Sequence, residues 1–175
     1  MSDRNVVLTG FMGTGKTTVG RALAARLGRE FVDTDRMIEE RHGPIPTIFA
    51  EHGEDAFRQY ERDVADELAG RRRLVIATGG RTMVDAVNAE RLGATGDVVC
   101  LVASLDTILE RVAVDGSAET RPLLRGEDVR ARVADLLAER AAAYGAFHQV
   151  PTDGRTPDDL AVAISEHLGV ERADG

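Results

Sequence analysis

Apolar positions along this chain follow two rhythms. Short continuous runs at Val6–Leu8, Glu30–Asp33, Leu74–Ala77, Val98–Val102 and, more weakly, Gln149–Pro151 read as strands buried in a sheet. Between them, apolar residues recur every three or four positions. That spacing predicts helices over Lys16–Leu27, Asp35–Arg41, Ala56–Ala69, Val84–Leu92, Leu105–Val114, Val129–Ala146 and Pro157–Leu168. Strands alternating with helices predict an α/β fold, a parallel sheet covered on both faces. Two stretches break the rhythm. His42–Gly53 carries Pro44 and Pro46 and is expected to join two helices outside the sheet. Asp115–Gly126, rich in small, hydroxyl and acidic residues, is expected to form a mobile flap. Val170–Gly175 reads as a frayed end.

The first strand-to-helix junction carries the strongest chemical signal. Gly10-Phe11-Met12-Gly13-Thr14-Gly15-Lys16-Thr17 fits the phosphate-binding pattern G-x-x-x-x-G-K-[ST], with a strand before it and a helix after it. Glycines let main-chain N–H groups curl toward phosphate oxygens, and the helix N-terminus adds partial positive charge. Lys16 is expected to reach the β- and γ-phosphates, and the Thr17 hydroxyl to ligate Mg²⁺. Lys16 is also the one lysine among 22 basic residues; the rest are arginine. A compact ammonium survives where a point charge, not a planar fork, is wanted.

Composition narrows the remaining choices. A chain of 175 residues with 43% hydrophobic positions supports one domain with its own core. A net charge of −8 argues against nucleic-acid or anionic-membrane binding, though converging arginines can still hold a small anion. Cys100 stands alone inside an apolar strand, so no disulfide framework or zinc-ligand spacing is present. No apolar segment follows Met1–Arg4, so neither leader nor membrane helix is expected, and a soluble cytoplasmic protein is. The histidines at 42, 52, 148 and 167 show no paired spacing and receive no role.

Asp33-Thr34-Asp35 closes the second strand. If the segment stays extended, both carboxylates face the same way, toward the loop after strand one, where open α/β sheets bind ligands. One would hold Mg²⁺ through water and the other accept a hydroxyl proton; the plain alternative is a helix cap. Thr78-Gly79-Gly80 ends the third strand with bare backbone, and Arg81 follows. Arg58 has Glu61 one turn on, while Arg58 and Arg140, each taken alone, read as surface arginines. Arg121, in the flap before Pro122-Leu123-Leu124, can reach a transferring phosphoryl group on closure.

Together these residues resemble the shikimate kinase family. The likeness runs through Gly10–Thr18, Phe31–Asp35, Ile48-Phe49, Gly53-Glu54, Phe57-Arg58, Glu61, Thr78-Gly79-Gly80, Arg121–Leu124, Arg140 and Tyr144, nearly the whole chain. It implies a three-layer P-loop fold over residues 1–175 with a five-stranded parallel sheet, a helical substrate lobe over about 34–62 and a lid over about 115–126. It implies transfer of the ATP γ-phosphate to the 3-hydroxyl of shikimate, on the way to chorismate and the aromatic amino acids. By position, Gly13, Thr14, Gly15, Lys16, Thr17 and Thr18 would bind ATP, with Thr17 on Mg²⁺ and Asp33 reaching the ion through water. Asp35 would hold the reacting hydroxyl. Arg58 and Arg140 would grip the substrate carboxylate, Gly79 and Gly80 would line its site, and Arg121 would reach the ATP phosphates. Arg155 falls where family members often set a residue against the adenine. A monomer acting on a small molecule is implied.

Two departures touch the acceptor side. Arg81 stands where the family usually has a third glycine, and Gly43–Phe49 is one residue shorter and richer in proline than usual. If the backbone at 81 needs a positive φ, arginine is strained there by roughly 1 kcal/mol or more. If not, its guanidinium adds a carboxylate contact, blocks the pocket or serves a different acid. A kinase for another polyhydroxy acid, and a nucleotide-binding protein that has lost transfer, are the alternative readings.

Overall fold

The computed structural model describes residues 2–114 and 128–170. Five strands form one sheet among these residues: β1 (Asn5–Gly10), β2 (Glu30–Asp33), β3 (Leu74–Ala77), β4 (Gly96–Val102) and β5 (His148–Pro151). All pairings are parallel, in the order β2-β3-β1-β4-β5. The chain leaves β1 toward β2 on one side and later crosses from β3 to β4 on the other. The strand order therefore reverses beside β1, and the carboxyl end of β1 is the place where open α/β sheets form a ligand crevice.

The helices are α1 (Lys16–Leu27), α2 (Thr34–His42), α3 (Ile45–Ala69), α4 (Ala86–Thr95), α5 (Leu105–Val114), α6 (Val129–Gly145) and α7 (Pro157–His167). Alternate residues of β1 separate the core into layers. Val6 and Leu8 pack with Val19, Leu23, Leu160 and Ile164 beneath α1 and α7, while Val7 packs with Ile38, Val64 and Leu68 of α2 and α3. A third cluster joins Phe11 and Cys100 to Ile108, Val133 and Tyr144, tying α5 and α6 to the crevice. Cys100 is fully buried, and burial pushes its thiol up to about 11. Among the described residues no helix is long and apolar enough to cross a membrane.

Four expectations are corrected. Ile45–His52 is helical rather than a linker, because α3 begins at Ile45 and runs to Ala69 across a kink at Gly53 (φ 82°, ψ 174°). Pro44 caps it and Pro46 sits in its first turn, where a missing N–H costs nothing. Asp33-Thr34-Asp35 is not extended; α2 begins at Thr34, with Asp33 as its cap. The helix expected at Val84 starts at Ala86 instead, after a 3₁₀ turn over Thr82–Val84, because Asp85 accepts hydrogen bonds from the amides of Val87 and Asn88. The expected flap, with Arg121, and residues 171–175 of the expected frayed end lie outside the described residues, while Val170, expected to fray with them, is packed in the core at 4% exposure.

Candidate active site

The glycine loop turns at the end of β1, with positive φ at Gly10 (137°), Gly13 (74°) and Gly15 (94°). At Gly10 a side chain would also strike the carbonyl of Leu101 on the neighbouring strand, so glycine is required twice over. The Thr14 hydroxyl donates to the Phe11 carbonyl at 2.8 Å and fixes the loop from inside. The Lys16 ammonium donates to the carbonyls of Gly10 at 2.8 Å and Phe11 at 2.9 Å, the two successive residues that open the loop. Thr17 and Thr18 are exposed in the first turn of α1.

Asp33 faces two ways at once. Its Oδ1 accepts from the amides of Asp35 at 3.1 Å and Arg36 at 3.2 Å, capping α2. Its Oδ2 accepts from the Thr17 hydroxyl at 2.9 Å. The cap thus aims the second oxygen at the loop. A hydroxyl and a carboxylate oxygen at this spacing are hard donors of the kind Mg²⁺ takes one or two at a time beside substrate phosphates.

A second group of side chains assembles on three successive residues after β3. Asp35, in the first turn of α2, lies against Gly79: a Cβ there would come within 2.5 Å of its Oδ1. The Gly79 amide donates to the Thr34 hydroxyl at 3.0 Å, which holds the start of α2 to this turn. Gly80 offers its carbonyl to Arg140 at 3.4 Å and to the Tyr144 hydroxyl. Arg140 is buried, not a surface residue; it is 4% exposed and stacks over Phe11 at 5.1 Å. Burial raises the Tyr144 hydroxyl above its usual pKa. Arg81 donates to Glu54 at 3.0 Å, and Glu54 also accepts from Arg58 at 2.9 Å. Asp35, Arg140 and, through Glu54, Arg58 therefore meet along Gly79-Gly80-Arg81.

Arg81 is unstrained, with φ −111° and ψ −6°, which removes the positive-φ reading of that departure. Arg58 is clamped between two carboxylates: Glu61 at 2.6 Å and Glu54. Burial lowers its pKa, but hydrogen bonding and charge from Glu61 and Glu54 reverse this and hold it above the usual value. The hydrogen bond from Arg58 in turn holds the Glu54 carboxyl below the ordinary range. Glu61 is 3% exposed and accepts from the Thr82 hydroxyl at 2.8 Å as well. A cavity of about 530 Å³ opens beside this group, lined by Glu54, Arg58, Arg62, Arg81 and Asp85 among others. Lys16, Asp35 and Arg140 do not line it.

Two contributors escape sequence reading. Arg111, on α5, donates to the Gly13 carbonyl at 3.1 Å and the Thr152 hydroxyl at 3.0 Å, bridging the glycine loop to the turn after β5. Asp153 in that turn accepts from the hydroxyls of Thr107 at 2.6 Å and Ser104 at 2.7 Å. Neither has a motif, since each bond joins segments distant in sequence. Arg155 is exposed beside them and donates to the Asp159 carbonyl at 3.5 Å.

Comparison with known proteins gives a family. The family model for shikimate kinase matches residues 12–168. A shikimate kinase from Moorella thermoacetica is 45% identical over 166 residues, covering 94% of each protein. One from Thermus thermophilus is 46% identical over 165 residues, covering 93% of this chain and 89% of the relative. Among solved structures, shikimate kinase from Acinetobacter baumannii in complex with shikimate superposes with a TM-score of 0.88. It is 41% identical, and the match covers 95% of this chain and 93% of that one.

Proposed function

The chain belongs to the shikimate kinase family, and we propose that it transfers the γ-phosphate of ATP to the 3-hydroxyl of shikimate, in the route to the aromatic amino acids. The observation that carries this reading is the juxtaposition of Asp35, Arg140 and the Arg58–Glu54 pair along Gly79-Gly80-Arg81, beside a complete glycine loop. Residues 34–62 form the substrate lobe.

The loop amides from Gly13 to Thr18 and the Lys16 ammonium cradle the phosphates. Lys16 exchanges the carbonyls of Gly10 and Phe11 for phosphate oxygens, so its charge meets the negative charge that shifts in the transition state. Thr17 and, through water, Asp33 would hold Mg²⁺, which when bound neutralises charge on the β- and γ-phosphates. Arg121 adds a further cation to the ATP phosphates, and Arg155 lies against the base.

Arg58 and Arg140 bind the acceptor carboxylate, each oriented in advance: Arg58 by Glu61, Arg140 by Phe11 and the Gly80 carbonyl. Gly79 and Gly80 leave the floor bare so that the ring can approach Asp35. Asp35 accepts the hydrogen bond of the 3-hydroxyl, aligns its oxygen for in-line attack and takes its proton on a carboxylate oxygen. The test is ADP release from Mg·ATP with and without shikimate, then with other polyhydroxy acids. Shikimate-dependent release at roughly 1 s⁻¹ or faster is expected. Release with another acid alone would give the site a different acceptor, and nucleotide binding without acceptor-dependent release would remove the transfer.

A further inference from the structure

We infer that Arg81 sets acceptor selectivity by managing Glu54, which occupies Arg58 as an internal stand-in for the acceptor carboxylate and is handed to Arg81 when an acceptor binds. This rests on the kinase reading above and extends it to a residue outside the set that grips the substrate.

The geometry is specific about which face of Arg58 is taken. Glu61 engages NH1, at 2.6 Å. Glu54 takes the Nε–NH2 edge, at 3.2 and 2.9 Å through its Oε1 alone. That edge is the planar fork a carboxylate prefers. An acceptor carboxylate seeking the fork must therefore displace Glu54. The same Oε1 already accepts from Arg81 NH1 at 3.0 Å, so a second guanidinium is in place to receive it.

Exposure makes the exchange easy. Glu54 and Arg81 are 53% and 47% exposed, so their pair is screened and rearranges at small cost. Glu61 is 3% exposed and anchored by Thr82, so the other edge of Arg58 stays fixed. The balance of charge also favours Arg81. Once an acceptor carboxylate sits on Arg58, Glu54 is a like charge beside it, and Arg81 offsets that repulsion.

The test is a kinetic cycle on the full chain with shikimate as the variable substrate. Arg81→Gly is expected to raise KM for shikimate about three- to fivefold, the scale of an exposed ion pair. It should leave kcat and KM for ATP near those of the parent. Glu54→Gln, which weakens the stand-in, is expected to lower KM for shikimate. In the Glu54→Gln background, removing Arg81 should have little further effect. With the methyl ester of shikimate, which lacks the charge, Arg81→Gly should change nothing. An unchanged or lowered KM in Arg81→Gly, additive effects in the double variant, or an equal response with the ester would each overturn the inference while leaving shikimate turnover intact. Absence of shikimate turnover in the parent protein would instead remove the kinase reading, and this inference with it.

Discussion

The phosphate side and the acceptor side of this crevice are built in opposite ways. The phosphate side is one continuous stretch, Gly10–Thr17, whose working groups are mostly main-chain amides. The acceptor side gathers side chains from α2, α3 and α6 onto the turn after β3. A single segment can make a phosphate cradle because phosphate oxygens need only convergent N–H groups and one point charge. A particular hydroxyl beside a carboxylate demands groups at set distances, which no single segment supplies. The first side is therefore generic to nucleotides, and the second holds the selectivity.

That contrast breaks most sharply at Lys16. Because the other groups of the glycine loop are main-chain amides, none of them can replace the ammonium, so Lys16→Ala should lose about 10²- to 10³-fold in kcat. Lys16→Arg should recover little of it, because a planar fork does not fit a point-charge position. Stopped-flow ADP release measures both, and near-normal turnover in Lys16→Ala would show that the amides suffice alone.

On the acceptor side the largest effect falls on stability as well as on substrate use. Glu61→Ala leaves Arg58 half-buried with one carboxylate and removes the acceptor of the Thr82 hydroxyl. A loss of about 3 kcal/mol in urea unfolding is expected, with a raised KM for shikimate. Thr82→Val, which removes only the hydroxyl bond, should cost about 1 kcal/mol. Equal losses in the two variants would mean that Glu61 contributes to stability through Thr82 rather than through Arg58.

The same contrast explains what was readable before the structure. Strand and helix rhythms placed all five strands, most clearly β1 and β3, whose apolar runs are buried throughout, and most weakly β5, where Val150 alone is buried. The glycine loop was legible for being contiguous. Arg140 read as a surface residue because its burial depends on Phe11 and Gly80, far away in sequence. Arg111 and Asp153 gave no signal for the same reason. His148 stacks on His167 at 3.5 Å, a pairing that sequence spacing also hid. The error over 42–53 was local: prolines were read as breakers where one caps α3 and the other begins it.

Gly53 tests that last point. Its φ of 82° with ψ of 174° belongs to a region that is essentially glycine's alone, and it sets the angle between the two parts of α3. Nothing lies within 4 Å of a Cβ added there, so any cost of Gly53→Ala is backbone strain and not a clash. About 1–3 kcal/mol is expected, with KM for shikimate rising more than KM for ATP. A variant as stable as the parent would show that the kink is not fixed.

The smallest effect concerns neither side but the turn after β5, which Arg111 ties to the glycine loop. Hydrogen bonds from Thr107, then from the Ser104 hydroxyl and amide, lower Asp153 from 3.8 to about 2. A carboxylate depressed on folding stabilises the native state above its unfolded pKa, and that stability is lost as pH falls through the folded one. The contribution should be whole above about pH 5 and fade between about pH 4 and pH 2. Asp153 is exposed, so the effect is a modest one. Asp153→Asn keeps the shape and removes the charge. Its deficit in urea unfolding against the parent should be constant from pH 7 to about pH 5 and close as the pH drops toward 2. A deficit that ignored pH over that window would mean that the amide fails to make the bonds for reasons of geometry, and that charge contributes nothing to holding Ser104 and Thr107.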